Sequence, residues 1–360
     1  MSLMKILKIF NRKNIFASIN AIIPILLAFL IGAIAIWIAK GNPLHTYWIM
    51  IRESLFDYRG VMRTLHVASP LILAGLAIGI SFKAGLFNMG IEGQIISSGF
   101  VVAVLGYRLA DLPTNLLIPI LLFAGMLVGV LVALVPAILK SRYNVNEMVV
   151  TLLLNYAIIE LLEYLTSNVF RDPTSGYVST NMIGQAAIMK RIFDSRLTTF
   201  FFVAMIAFVI ITIVMKKSKL GYEITAMGKN KVFAESTGMN LKKKIVVIML
   251  ISGALAGLAG AGWMLSDKYA YTLSFSGVPG LGWDGMLISL LGNHHPIGIF
   301  ISAIFYAVLK TGSSNVAIYT SVPAEIIALI QAFIILFLSL KVYVRYTSKK
   351  QSKVTSAKEA

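Results

Sequence analysis

Between Ser81 and Ser98 the chain reads Ser-Phe-Lys-Ala-Gly-Leu-Phe-Asn-Met-Gly-Ile-Glu-Gly-Gln-Ile-Ile-Ser-Ser. Asn88, Glu92 and Gln94 bring two amides and a carboxylate close together, and Gly85, Gly90 and Gly93 loosen the backbone around them. Irregular backbone at membrane depth survives only where it is buried in protein or lines a cavity. Such a set can hydrogen-bond a polar solute, or it can satisfy exposed backbone groups at a helix N-terminus. A second polar set is Asn146, Glu147, Thr151 and Asn155, with Glu160 and Glu163 beyond it. Glu147, Thr151 and Asn155 are spaced by four and share a helical face. That face either lines a conduit or bonds across helices. Trp283 and Asp284 form a third set, although an Asp at a helix start is most often an N-cap.

Other chemistry is excluded by what is missing. His294 and His295 are adjacent and, on a helix, would point about 100° apart, with no third ligand at a zinc-like spacing, so no metal site is expected. The absence of cysteine excludes disulfides, haem-thiolate, iron–sulfur clusters and Cys-ligated zinc. There is no Gly-x-Ser-x-Gly elbow, no His-Glu-x-x-His and no phosphate-binding loop. The chain is therefore expected to be no enzyme and to need no cofactor, with any ATP dependence supplied by a partner.

The elements that position these residues follow from composition. The 360 residues are 58% hydrophobic and only 13% charged, with mean hydropathy +0.83. Soluble domains are roughly 45–50% apolar and about 25% charged, so too few polar residues remain to cover a core in water. Much of the chain must face lipid, which excludes a soluble enzyme. The net charge of +17 fits basic residues gathered on the cytoplasmic side better than nucleic-acid binding. Uncharged stretches run over 21–39, 64–82, 116–139, 197–215, 245–266 and 285–309, and shorter apolar ones over 93–107, 148–159 and 326–340. A spanning helix needs about 20 residues. Segment 21–39 is too long for a signal-peptide core and reads as an uncleaved span.

Gly292-Asn293-His294-His295-Pro296 interrupts 285–309 and predicts two short legs, 283–292 and 297–311. Two legs give about ten transmembrane helices with both termini cytoplasmic. Lys5, Lys8, Arg12 and Lys13, the basic loop 216–244 and the tail from Lys341 to Lys358 then lie inside, as the positive-inside rule favours. The fold expected is all-α and polytopic, including broken and short helices. Its divisions are a cytoplasmic segment 1–20, one transmembrane domain 21–343, and a basic tail 344–360. Residues 44–58 read as a helix lying in the outer interface, with Leu44, Tyr47, Trp48, Ile51 and Leu55 on one face. Residues 169–196 form a polar external loop that faces a partner or is simply solvated. Gly75/Gly79, Gly125/Gly129 and Gly253/Gly257 recur at the spacing that lets membrane helices pack closely. Within 216–244, residues 230–237 can form a short helix closed by Gly238. Such a basic loop binds lipid head groups or seats in a groove on a partner.

The string Gly85-Leu86-Phe87-Asn88-Met89-Gly90-Ile91-Glu92-Gly93-Gln94 resembles the Phe-Asn-[Ile/Met]-Gly-x-Glu-Gly-Gln signature of permease subunits of bacterial ABC importers. The branch is the nucleoside and simple-sugar one of the branched-chain amino acid/ribose permease family. Three further segments agree in order: Asn146 to Tyr156, then Ala226-Met227-Gly228-Lys229-Asn230 with Gly238, then Gly282-Trp283-Asp284-Gly285-Met286 leading to Leu291–Gly298. The resemblance covers most of 60–343. The string Gly292-Asn293-His294-His295 departs from it mildly, since Arg or another polar residue is common there, which leaves the histidines without an implied role.

The resemblance implies a bundle similar to type II importers. Two permease subunits, often non-identical, enclose one path, two cytoplasmic ATPase subunits drive it, and an extracellular lipoprotein delivers a nucleoside. No nucleic acid is implied; the remaining partner is membrane lipid, in the bacterial plasma membrane. Asn88, Glu92, Gln94, Asn155 and Asp284 would sit near the path. Residues 229–238, with Lys229, Asn230, Ala234, Glu235 and Gly238, would be the helix coupled to the ATPase. Ribose or another simple sugar is the alternative substrate. A secondary transporter using Glu92, Glu147 or Asp284 as ion sites is the rival of another class.

Overall fold

The computed structural model describes residues 26–277, 280–320 and 332–333. Among them all regular elements are helical, with three isolated β-bridges and no strand. The helices are α1 (Leu26–Ile38), α2 (Pro43–Ile51), α3 (Tyr58–Lys83), α4 (Ile91–Arg108), α5 (Thr114–Tyr143) and α6 (Glu147–Tyr164). They continue as α7 (Phe200–Lys217), α8 (Lys219–Lys229), α9 (Lys231–Ser236), α10 (Leu241–Trp263), α11 (Leu281–Leu291) and α12 (Pro296–Tyr319). The segments after α2, α6 and α10 each close with one wider turn, in which Asp57, Phe170 and Tyr269 donate five residues back.

The chain divides into two compact units, residues 1–60 with 308–360 and residues 61–307. In the first, α1 and α2 are bent by 119°. Asn42 caps α2 by accepting from His45 N (3.2 Å), and Pro43 stands at its first turn. Thr46 and Met50 are buried while Leu44, Trp48, Ile51 and Leu55 are exposed. Together with α1, α2 makes a broken span or a re-entrant loop by length and composition.

In the second unit, the small-residue spacings set the core. A side chain at Gly129 would fall on the Gly253 carbonyl, and one at Gly257 on the Gly125 carbonyl. Thus α5 and α10 meet backbone to backbone. On another side of α10, Gly260 lies against the Ile95 carbonyl of α4, and Ser98 Oγ donates to Gly257 O (2.6 Å). Gly75 and Gly79 of α3 receive Ile288 and Ile299. The loop 169–196 is more than a solvated connection, because Ile183, Ala187 and Met189 are buried in it.

Pro296 and the preceding turn break 281–319 into two helices, as the sequence requires. Asn293 (φ 53°) and His294 (φ 55°) are left-handed, and Gly292 packs against Gly298. The expectation of about ten crossings is not supported. Among the described residues six helices are long and apolar enough to cross a membrane, or seven if α1 and α2 are one span. The shortfall has physical causes: α4 is diluted by Glu92, Gln94, Ser97, Ser98 and Arg108, and α11 has 11 residues. Segments 1–20 and 344–360 lie outside the described residues, as does most of 326–340. The chain is a multi-pass, all-α membrane protein.

Gly129→Val tests the α5–α10 contact. Overpacking costs roughly 1–3 kcal/mol, and more where backbones touch. The heat-aggregation midpoint of the purified protein should fall, while Leu131→Val, at an exposed site, leaves it unchanged. Equal midpoints would contradict the packing.

Candidate functional site

The polar stripe of α6 holds the irregular segment between α3 and α4. After Lys83 the chain turns at Gly85 (φ 72°), a conformation that costs glycine little. Of the backbone donors that follow, those of Phe87, Met89 and Gly93 find side chains of α6. Glu147 Oε1 accepts from Phe87 N (3.3 Å), Thr151 Oγ1 from Met89 N (3.1 Å), and Asn155 Oδ1 from Gly93 N (2.8 Å). Asn155 Nδ2 donates in return to the Met89 carbonyl. Three residues one turn apart therefore satisfy the segment's donors at 87, 89 and 93. Asn155 also serves the first turn of α4, a cap supplied by a neighbouring helix. Lys140 Nζ, 3.0 Å from Glu147 Oε2, balances the buried carboxylate.

Asn88 is fully buried. Its Oδ1 accepts from Gly90 N (3.1 Å), and its Nδ2 donates to Ser252 Oγ (3.1 Å), which donates on to Ala77 O (2.7 Å). One amide thus joins the segment to α10 and α3. Gln94, also fully buried, reaches Asn88 Oδ1 at 3.5 Å, and its Oε1 has no hydrogen-bond partner among the described residues.

Glu92 and Asp284 anchor α11 from two sides. Glu92 Oε2 accepts from Gly282 N (2.6 Å), so a carboxylate sits at the N-terminus of α11. Ser276 Oγ accepts from Leu281 N (2.7 Å). Asp284, at 0% exposure, accepts from Tyr306 Oη (2.6 Å) and is not the N-cap; that place belongs to Gly280. Ser252 and Tyr306 were not singled out in the sequence. Ser252 sits in a run read only for helix packing, and nothing local marks Tyr306 as a partner 22 residues away.

Beside Glu92 a cavity of about 200 Å³ is lined by Glu92, Ile96, Ile159, Glu163, Tyr271 and Trp283, with the 273–277 backbone closing one side. A crevice of only about 10 Å³ shares Glu92 and Trp283 with it and is lined as well by Asn88, Met89 and Met286. Glu92 therefore borders both spaces and Asn88 the smaller, whereas Gln94, Asn155 and Asp284 line neither. No group of three metal-ligating side chains occurs among the described residues.

In the loop 216–244, Asn230 Oδ1 accepts from Phe233 N (3.1 Å) and starts α9. Gly238 (φ 82°) ends it, with Gly238 N donating to Glu235 O (2.9 Å). Ala234 is buried, Lys229 and Glu235 are exposed, and Val232 and Phe233 are 73% and 56% exposed. At the end of α8, Gly228 lies against the carbonyl of Lys83 and beside Ala84. In the turn before α12, His294 Nδ1 and Ser289 Oγ share a hydrogen bond (2.9 Å). Burial and, secondarily, Lys83 push the imidazole down to about 4.

The profile of the family described as the branched-chain amino acid transport system, permease component, matches residues 60–339. The guanosine ABC transporter permease NupP of Bacillus subtilis is 33% identical over 92% of this chain and 96% of its own. The nucleoside ABC transporter permease NupB of Lactococcus lactis is 31% identical over 94% of this chain and 95% of its own. The glucose ABC transporter permease TsgB13 of Haloferax volcanii is 30% identical over 88% and 86%.

Asn155→Ala strands the Gly93 amide and the Met89 carbonyl, at a cost of roughly 1–3 kcal/mol for each buried group. Its thermal midpoint should fall well below that of the exposed-site control Tyr156→Ala; parity would remove Asn155 from this role. His294 gives a pH test. Above about 6.5 both folded and unfolded imidazoles are neutral. Below it the unfolded chain takes a proton that the folded one refuses until about pH 4, so stability declines across that window. His294→Gln should flatten the decline; an unchanged pH profile would contradict it.

Proposed function

The chain belongs to the branched-chain amino acid transport system permease family, and from that membership we propose that it is the membrane-spanning subunit of an ATP-driven nucleoside importer. The observation that carries the reading is the near full-length similarity to two permeases named for guanosine and nucleoside transport. The assembly is of the type II kind: this chain, a second permease subunit that need not be identical, two cytoplasmic ATPase subunits and an extracellular lipoprotein. Both termini lie in the cytoplasm, and 21–343 acts as one transport domain. ATP is hydrolysed by the partner, and the permease contributes the path.

Residues 229–238 are the coupling element. Val232 and Phe233 expose apolar surface on a short capped helix, which suits a groove on the ATPase. Motion of α9 passes to α8, and Gly228 delivers it to the backbone at Lys83 and Ala84. There the segment held by α6 begins, and it leads within ten residues to Glu92 and the cavity. Alternating access follows if that segment shifts Glu92 and Trp283, which line both spaces. A simple-sugar permease is the second reading, favoured by the glucose-permease relative.

Uptake of labelled guanosine, uridine and ribose, in cells with and without this chain, tests the substrate. Nucleoside uptake should disappear and ribose uptake remain; the reverse would favour the sugar reading. Replacing 231–235 with Gly and Ser should leave insertion intact and abolish transport. Normal uptake in that variant would sink the coupling assignment.

A further inference from the structure

We propose that the cavity between α4, α6, residues 271–277 and Trp283 is a halting point for the nucleoside inside the permease. Its base stacks on Trp283, and its ribose hydroxyls donate to the carboxylates of Glu92 and Glu163. The proposal rests on the nucleoside reading above and adds the place and manner of recognition.

Four features carry it. First, Trp283 is half-buried, borders both the cavity and the crevice, and stacks on no other ring among the described residues. Tyr271 lies in the same wall but is already stacked on Phe275 (ring centroids 5.3 Å, 27° apart). The indole is thus the aromatic surface left for a flat ligand. Second, Glu92 is 7% exposed and fixed by Gly282 N at 2.6 Å. A carboxylate has about four lone-pair sites, so it can accept further hydrogen bonds from a ligand. Third, Glu163 is an exposed carboxylate on an apolar membrane helix, where charged groups face water-filled space or partners. Lining this cavity gives it that space. Fourth, Ile96 and Ile159 supply an apolar flank, so polar groups are few and convergent, as in small-molecule sites.

The chemistry selects its ligand. Two carboxylates accept from neutral hydroxyls and repel phosphate, so the site takes nucleosides and rejects nucleotides. A cis-diol offers two donors, and a 2′,3′-dideoxynucleoside offers neither. Stacking and neutral hydrogen bonds are modest in strength, which permits release as well as capture. The adjoining crevice, which shares Glu92 and Trp283, is too small at about 10 Å³ to admit a nucleoside, so the ligand halts in the larger space.

The test uses the complete importer, with its ATPase, second permease and binding protein, reconstituted in sealed vesicles. Initial uptake of labelled uridine and guanosine is measured, with unlabelled 2′,3′-dideoxyuridine, ribose and uridine monophosphate as competitors. Base–aromatic stacking predicts that Trp283→Ala slows uptake roughly 5- to 150-fold and that Trp283→Phe restores most of it. Glu163→Gln should keep ribonucleoside uptake measurable while narrowing the preference over the dideoxynucleoside, a change that a merely structural role would not produce. Assembly is checked by co-purification of the ATPase subunits; a variant that fails to assemble is replaced by Trp283→Tyr or Glu163→Asp, judged by the same readouts. Wild-type rates and unchanged dideoxynucleoside discrimination in these variants, with nucleoside uptake intact, would overturn the halting point and leave the nucleoside reading standing. Competition by ribose alone, with no nucleoside uptake by the wild-type complex, would overturn both.

Discussion

A backbone that leaves the helix inside a lipid-facing protein must find a partner for every donor and acceptor it exposes. Residues 84–93 meet that requirement through one stripe of α6, in which Glu147, Thr151 and Asn155 serve the amides of Phe87, Met89 and Gly93. In water those amides would bond solvent; in an apolar surrounding each unpaired one costs several kcal/mol. The stripe is therefore what allows irregular chain at this depth. Without it neither the position of Glu92 at the N-terminus of α11 nor the cavity beside it would be fixed.

The rest of the bundle serves the same segment. Backbone contacts at Gly129, Gly253 and Gly257 bring α10 against α5, and that closeness lets Ser252 take Asn88 and bond on to α3. Asp284 and Tyr306 hold α11 against α12, so Glu92 meets a helix start that is itself anchored. On the other side Gly228 presses α8 on the chain just before the segment. The segment is thus held by helices at its flanks, meets α8 at Gly228 and leads to Glu92, which lines the cavity.

Much of this was legible in the sequence where the signal was local. The spacing of Glu147, Thr151 and Asn155 showed a shared face, and of its two readings the interhelical one holds for the bonds seen. Asn230 and Gly238 marked the limits of α9 by cap chemistry, and Gly292 to Pro296 marked a helix break. Long-range pairing was not legible: nothing in Asp284 points to Tyr306, and nothing in Asn88 points to Ser252. The polar residues expected near the path divide for the same reason. Glu92 and Asn88 border open space, whereas Gln94, Asn155 and Asp284 line neither space. Counting crossings by apolar runs gave more than the described residues support, because α4 carries its polar residues inside the protein and α11 is short.

As proposed, the permease is a conduit whose energy comes from a partner ATPase and not from an ion bound at Glu92, Glu147 or Asp284. The most direct test is nucleoside accumulation by the reconstituted complex in sealed vesicles, with ATP supplied on the face that carries α9 and with sodium and proton gradients imposed or collapsed. The result expected is accumulation that requires ATP and survives loss of both gradients. Accumulation that proceeds without ATP and stops when a gradient is collapsed would contradict it.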